Sequence, residues 1–262
     1  MIRFVLTMLV AMTVAAPYGD AHAPGKTDLP VTAAIKPDAT SMGATTQPIP
    51  HTPGSRLSLI APGANPEVLS LAISAMECAQ SHGTGAGATR LAVIDYSLSS
   101  LKPRLWVFDL ARPELLYQEV VAHGQGSGDD VPTRFSNNDG SHQSSLGLFY
   151  TRDTYQGHNG YSMRMQGLEP GVNDAAMARA IVMHGADYVN PEGGKRMGRL
   201  GRSWGCPALR KAVAKPIIDL LKDGQFVFSY YPDQAWLARS ALLNCSNSRV
   251  AAGSTDRRGK AH

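Results

Sequence analysis

Cys206 stands in the run Ser203-Trp204-Gly205-Cys206-Pro207, and a His-Gly pair, His184-Gly185, closes a β-favouring stretch upstream of it. A thiol attacks as its thiolate, and a neighbouring imidazole can take its proton, so Cys206 and His184 supply a nucleophile and a base. Glycine next to a reactive residue lets the backbone take conformations that other residues resist and lets a ligand come close. On such a turn the amides of Trp204, Gly205 and Cys206 are placed to face a developing oxyanion, with Ser203 and Gly205 shaping that region, the arrangement acyl transfer requires. A backbone carbonyl is enough to orient the imidazole, so the lack of an obvious Asp partner does not count against the pair. The ordinary alternative for Cys206 is a small buried apolar residue. Ser203, Gly205 and the upstream His-Gly weigh against it.

Around this pair, Tyr188, Arg199, Arg202 and Trp204 are candidates for holding a substrate. A guanidinium grips a carboxylate through two parallel hydrogen bonds, which suits Arg199 and Arg202. Tyr188 and Trp204 have the competing reading of core aromatics. His123-Gly124 also follows a β run, so His123 is expected to line the same cleft, under a mobile loop carrying Gly124, Gly126 and Gly128. His142 and His158 read as polar loop residues. The histidines lack the i, i+4 or Cys-x-x-Cys spacing of a zinc site, and no Lys-Ser/Thr follows the glycines as a nucleotide loop demands. No metal or other cofactor is expected.

The 262 residues carry a net charge of +4, too small to argue for nucleic acid by itself and compatible with an anionic wall or membrane surface. A basic start, an apolar run from Phe4 to Ala16 and the pattern Ala21-His22-Ala23 describe a secretory signal peptide over residues 1–23. The run is short for a membrane span, which takes about 20 residues, so a retained anchor is the lesser alternative to a protein freed after export into the periplasm or the medium. Of three cysteines, an odd number for an exported chain, one is left over for a free thiol or another molecule. An oxidising compartment could join Cys78 to Cys245 and leave Cys206 free, a connectivity that sequence alone does not set.

Residues 24–60, rich in Pro, Thr and Ala, read as a linker, residues 61–244 as the catalytic domain, and residues 245–262 as a basic polar tail. Order is expected to begin at Asn65-Pro66-Glu67, an N-cap, a first-position proline and an acid at the positive end of the helix dipole. Leu69, Ala72, Ile73 and Met76 then share one helical face, with Gly83 as the stop. Short β-favouring runs follow at 91–96, 104–110, 116–122, 146–151, 161–166, 180–184 and 225–231, with helices after Cys206 to Leu221 and from Asp233 to Leu242. The fold class is therefore mainly β with short helices (α+β), without the strand-helix alternation of a doubly wound sheet.

His184-Gly185 followed by Ser203-x-Gly205-Cys206 resembles the active-site signature of L,D-transpeptidases of the YkuD type. Further phrases, Phe135-Ser136-Asn137, Ser144-Ser145-Leu146-Gly147, Gly167-Leu168-Glu169, Asn173-Asp174 and the run from Gly198 to Ala208, resemble the murein L,D-transpeptidase catalytic-domain branch, in order from about Leu69 to Asp233. The resemblance implies a β-sandwich-like catalytic domain and a cysteine thioester formed on peptidoglycan stem peptides at diaminopimelate, with release of D-alanine. It implies an amine acceptor on another stem, and acylation by penems and carbapenems. Two departures stand out: Pro207 and Ala208 follow the cysteine where many members have an arginine two positions on, and Trp204 stands where histidine is common. Carboxylate recognition is therefore expected to have moved to Arg199 and Arg202. The rival readings are an L,D-carboxypeptidase or endopeptidase using the same acyl-enzyme, and a wall-binding module that has lost catalysis.

Overall fold

Apolar residues run unbroken through 91–94, 105–108 and 226–228, a pattern that belongs to strands buried on both faces. The computed structural model, which describes residues 53–245, puts all three at the middle of one eight-stranded sheet. The strands are β1 Arg90–Asp95, β2 Leu105–Asp109, β3 Glu114–Glu119, β4 Gly147–Gly157, β5 Gly160–Gly167, β6 Val182–Ala186, β7 Ala208–Arg210 and β8 Phe226–Tyr230. Their order across the sheet is β3-β2-β1-β8-β4-β5-β6-β7. Neighbours are antiparallel except β1 with β8 and β6 with β7. Among the described residues five α-helices accompany them: α1 Pro53–Ile60, α2 Pro66–Ser81, α3 Pro191–Met197, α4 Lys211–Leu221 and α5 Gln234–Arg239.

Because side chains alternate along a strand, each central strand feeds two cores. Leu91, Val93, Trp106, Phe108, Phe226 and Phe228 point to the core covered by α1 and α2. Ala92, Ile94, Leu105, Val107 and Val227 point to the other, where they meet Met163, Met165 and Met183 from β5 and β6 and Ile217, Ile218 and Leu221 from α4. Strands from both ends of the sheet order thus share one core. The layers of the expected sandwich are two halves of a single sheet folded over.

The fold brings the two ends of that sheet together. Three residues beyond β3, Ala122 bridges to Ala208 of β7, its amide 2.9 Å from the Ala208 carbonyl. Gly124 pairs with Ser203 beside it. The seam lies just before β7, where Cys206 stands.

The helix expected at Asn65-Pro66-Glu67 is α2, whose Asn65 side chain accepts from the Glu67 amide at 2.9 Å. It ends at His82, and Gly83 follows with φ 89°. Order begins earlier than expected: α1 occupies residues placed in the linker, because Leu57 and Ala61 bury against α2 and offset the cost of ordering the segment. At the other end Cys245, expected to open the tail, forms a disulfide with Cys78 of α2 and so belongs to the domain. The expected signal segment, the rest of the linker and residues 246–262 lie outside the described residues. Among the described residues no helix is long and apolar enough to cross a membrane.

Candidate active site

Parallel pairing of β6 with β7 sets His184 opposite Ala208, two residues past Cys206. Both His184 and Cys206 line an open cleft of about 400 Å³ together with Arg179, Ala180, Tyr188, Arg202, Ser203 and Trp204. His158 and Asn159, the turn between β4 and β5, close its far side. Of the residues singled out in the sequence, the fold gathers Cys206, His184, Ser203, Tyr188, Arg202 and Trp204 on this cleft.

The Cys206 thiol is buried, 8% exposed, and is met by the Val182 amide at 3.4 Å and the Ala180 carbonyl at 3.8 Å. Burial pushes its pKa up, against the downward pull of the Val182 amide and the Arg179 guanidinium. His184 Nδ1 lies 3.1 Å from the Gly185 carbonyl, which can only accept, so Nδ1 carries the proton and Nε2 is the basic nitrogen. The backbone carbonyl thus takes the orienting role. Burial holds the imidazole pKa below its usual value, partly offset by that carbonyl. At rest the two groups are a neutral thiol and a neutral base. Tyr188 stands edge-on to the His184 ring, centroids 6.5 Å apart, and burial raises its phenol pKa.

Ser203 holds the turn. Its hydroxyl donates to the Cys206 carbonyl at 2.6 Å and accepts from the Gly205 amide at 3.1 Å. Its amide donates to the His123 carbonyl at 2.9 Å, and its own carbonyl accepts from the Gln125 amide at 2.8 Å. Gly205 has φ 121° and packs so closely that a β-carbon would come within 2.8 Å of the Gln143 carbonyl. Ser144 spans the seam, accepting from the Gly124 amide at 3.0 Å and donating to the Gly205 carbonyl at 3.1 Å. Since the Gly205 amide is taken up by Ser203, it is not free to face an oxyanion as expected. The amides of Trp204 and Cys206 remain.

His123 does not line the cleft. It is 1% exposed, with Nδ1 accepting from Arg104 at 2.8 Å, and burial beside that guanidinium lowers its pKa to about 4. What it gives the site is the backbone carbonyl that anchors Ser203. The glycine loop beside it is closely packed: a β-carbon on Gly124 or Gly126 would come within 2.3 Å of the His142 or Ser141 carbonyl. Arg199 points away, to the Leu200 carbonyl at 3.0 Å and Asp129 at 3.6 Å. Arg202 pairs with Asp129 at 3.0 Å yet still reaches the cleft.

Three contributors escaped the sequence reading. Arg179 precedes β6, and its guanidinium donates to the Ser136 carbonyl at 2.7 Å, Ser145 Oγ at 2.6 Å and the Gln143 carbonyl at 2.7 Å, fixing the 136–145 loop beside Cys206. His142, read as a loop residue, lies flat against Trp204. His158, read the same way, lines the cleft.

Fold and cleft together define a mainly β domain with a thiol and an imidazole on one open pocket. Over residues 60–230 the chain matches the family described as the L,D-transpeptidase catalytic domain, and it belongs to that family. Similar solved structures include an L,D-transpeptidase from Mycobacterium smegmatis, 14% identical, with 55% of this chain and 59% of that one covered and a TM-score of 0.34. The LD transpeptidase LdtMt1 in complex with imipenem is 14% identical, with 54% and 59% covered and a TM-score of 0.33. The helical cell shape determining protein Pgp2 from Campylobacter jejuni is 15% identical, with 54% and 47% covered and a TM-score of 0.36. The chain therefore spans less than two thirds of the length of each of these three. No curated protein sequence gives a significant match.

Proposed function

We propose that this protein is an exported peptidoglycan L,D-transpeptidase, acting in the periplasm or outside the cell, with Cys206 as nucleophile and His184 as general base. The observation that carries the reading is one cleft lined by the Cys206 thiol, an imidazole with its basic Nε2 left over, and two guanidinium groups, Arg179 and Arg202. In the first half-reaction the thiol gives its proton to His184 Nε2 as sulfur attacks the carbonyl between diaminopimelate and the terminal D-alanine. The amides of Trp204 and Cys206 receive the oxyanion. Collapse breaks the C–N bond, His184 returns the proton to the leaving amine, and D-alanine departs, leaving a thioester. An amine of a second stem then gives its proton to His184 as it attacks the thioester carbonyl; the C–S bond breaks, the new amide forms, and His184 returns the proton to sulfur. Arg179 and Arg202 supply the charge that stem carboxylates require.

Intact mass after exposure to a carbapenem tests the reading. A covalent adduct is expected on the parent, none on Cys206→Ala, and slow labelling on His184→Ala. Tetrapeptide muropeptides then separate transfer from hydrolysis: cross-linked dimers support the proposal, whereas tripeptide and D-alanine alone would make the enzyme a carboxypeptidase. A folded parent that forms no adduct and turns over no muropeptide, and binds peptidoglycan as well as Cys206→Ala does, would leave only a wall-binding module.

A further inference from the structure

Trp204 is 71% exposed although it sits inside the turn that holds Cys206. One face of its indole is covered by the His142 imidazole, which lies parallel at 5° with ring centroids 4.9 Å apart. Exposure that large on a ring covered on one side belongs to the opposite face and the edge, and Trp204 lines the cleft beside Cys206.

Contacts from behind hold the platform. His142 has φ 54°, a left-handed conformation that a residue with a β-carbon avoids and that persists only when its surroundings enforce it. Here the Gly126 amide donates to the His142 carbonyl at 2.9 Å, and the Gln125 side-chain amide lies 3.1 Å from Nδ1. These contacts place the imidazole flat behind the indole and leave the opposite face open.

An indole face is broad, apolar and weakly negative. A ligand that matches it offers either a cation or a flat face of polarised C–H bonds. The cleft decides between them: Asp129 pairs with Arg202 at 3.0 Å, but Arg179 is held by neutral oxygens alone, and no aspartate or glutamate is among the residues that line the cleft. Like charge disfavours an ammonium there, whereas a neutral pyranose brings a C–H face for the indole and polar edges for Asn159, His158 and Arg202. We propose that Trp204 and His142 form a sugar subsite beside Cys206, taking a neutral N-acetylhexosamine ring of the glycan strand that bears the stem. The proposal rests on the cell-wall reading above, since it makes the acyl donor a peptide read together with its sugar.

Tryptophan emission tests it directly. The chain has three tryptophans, and Trp106 and Trp236 are each 1% exposed, so iodide quenching and any ligand-induced blue shift report on Trp204. Titrating the parent with chitotetraose, an N-acetylglucosamine tetramer, is expected to give a saturable blue shift and reduced iodide quenching. Both are lost in Trp204→Ala. In His142→Ala the indole remains but is no longer stacked, and affinity is expected to fall about threefold to tenfold. Emission indifferent to chitotetraose, or a response that survives in Trp204→Ala, overturns the subsite. A response to a lysine-type primary amine but not to chitotetraose overturns it too and assigns the platform to the acceptor. The carbapenem adduct separates the two proposals. An adduct on a parent that ignores chitotetraose removes the subsite alone, and chitotetraose binding with neither adduct nor muropeptide turnover supports the subsite while removing the acyl-transfer reading.

Discussion

Burial acts on Cys206 and His184 in opposite directions, and both keep the pair neutral. The thiol is pushed above its ordinary value of 9.0, and the imidazole is pushed below its ordinary 6.5. On the proposed mechanism, attack needs His184 unprotonated and needs no preformed thiolate. The rate of carbapenem adduct formation should therefore rise as pH climbs through the depressed imidazole pKa, below 6.5, and stay level across neutral pH. Without the base only the thiolate reacts, and at pH 7 that is about 1% of the thiol or less. His184→Ala should accordingly label slowly and gain about tenfold per pH unit from pH 6 to 8. Stopped-flow or quenched mass spectrometry at several pH values checks this, and a level profile in His184→Ala would remove His184 as the base. That Cys206, His184 and Ser203 share one cleft was legible only through the family resemblance, since His184 stands well upstream of the turn that holds the thiol. Arg179 was not, because it lies well ahead of the run that holds Arg199, Arg202 and the cysteine, and only the fold turns the chain just ahead of β6 against the sulfur.

The strands of the sheet were legible from short apolar runs, and α2 from its Asn-Pro-Glu start. The same start recurs at Asn190-Pro191-Glu192, where the Asn190 side chain caps α3 through the Glu192 and Gly193 amides, both at 3.1 Å. The glycines that follow masked it, as they weaken any helical expectation. Both α1 and the three-residue β7 depend on long-range contacts, which a local pattern does not carry. The family-like phrases away from the cysteine turn out to be structural. Glu169, 3% exposed, accepts from the Leu148 amide at 3.0 Å, Trp236 Nε1 at 3.0 Å and Ser240 Oγ at 2.6 Å, joining β4 to α5. Asn173 adds the Leu146 carbonyl at 2.8 Å. Gly147 has φ 94°, and a β-carbon there would come within 2.3 Å of the Glu169 carboxylate. Glu169→Gln sets an amide N–H against either the Leu148 or the Trp236 N–H, donors that have no acceptor capacity. It should cost about 1–3 kcal/mol, read as a lower urea midpoint at unchanged slope. Unaltered stability would show that the carboxylate does not hold these elements together.

At the scale of the whole molecule, the Cys78–Cys245 disulfide spans 167 residues and encloses the entire sheet and cleft. It ties the segment after α5 to α2, on the helical side of the sheet and away from the seam that carries Cys206. Closing so long a loop restricts the unfolded chain far more than the folded one, which is where most of its effect is expected to lie. Replacing both cysteines by serine should lower stability by about 2–5 kcal/mol. Adduct formation at Cys206 should persist at temperatures where the variant stays folded, because no group of the cleft touches the bridge. Thiol titration gives a separate reading of the same connectivity: the unreduced chain unfolded in guanidinium should yield one thiol, and the reduced chain three. A yield of three without reductant would dissolve the bridge and with it the stability argument. A variant that folds normally but no longer labels would instead tie the bridge to the cleft, through elements such as α5, Ser240 and the Glu169 network that joins β4 to them.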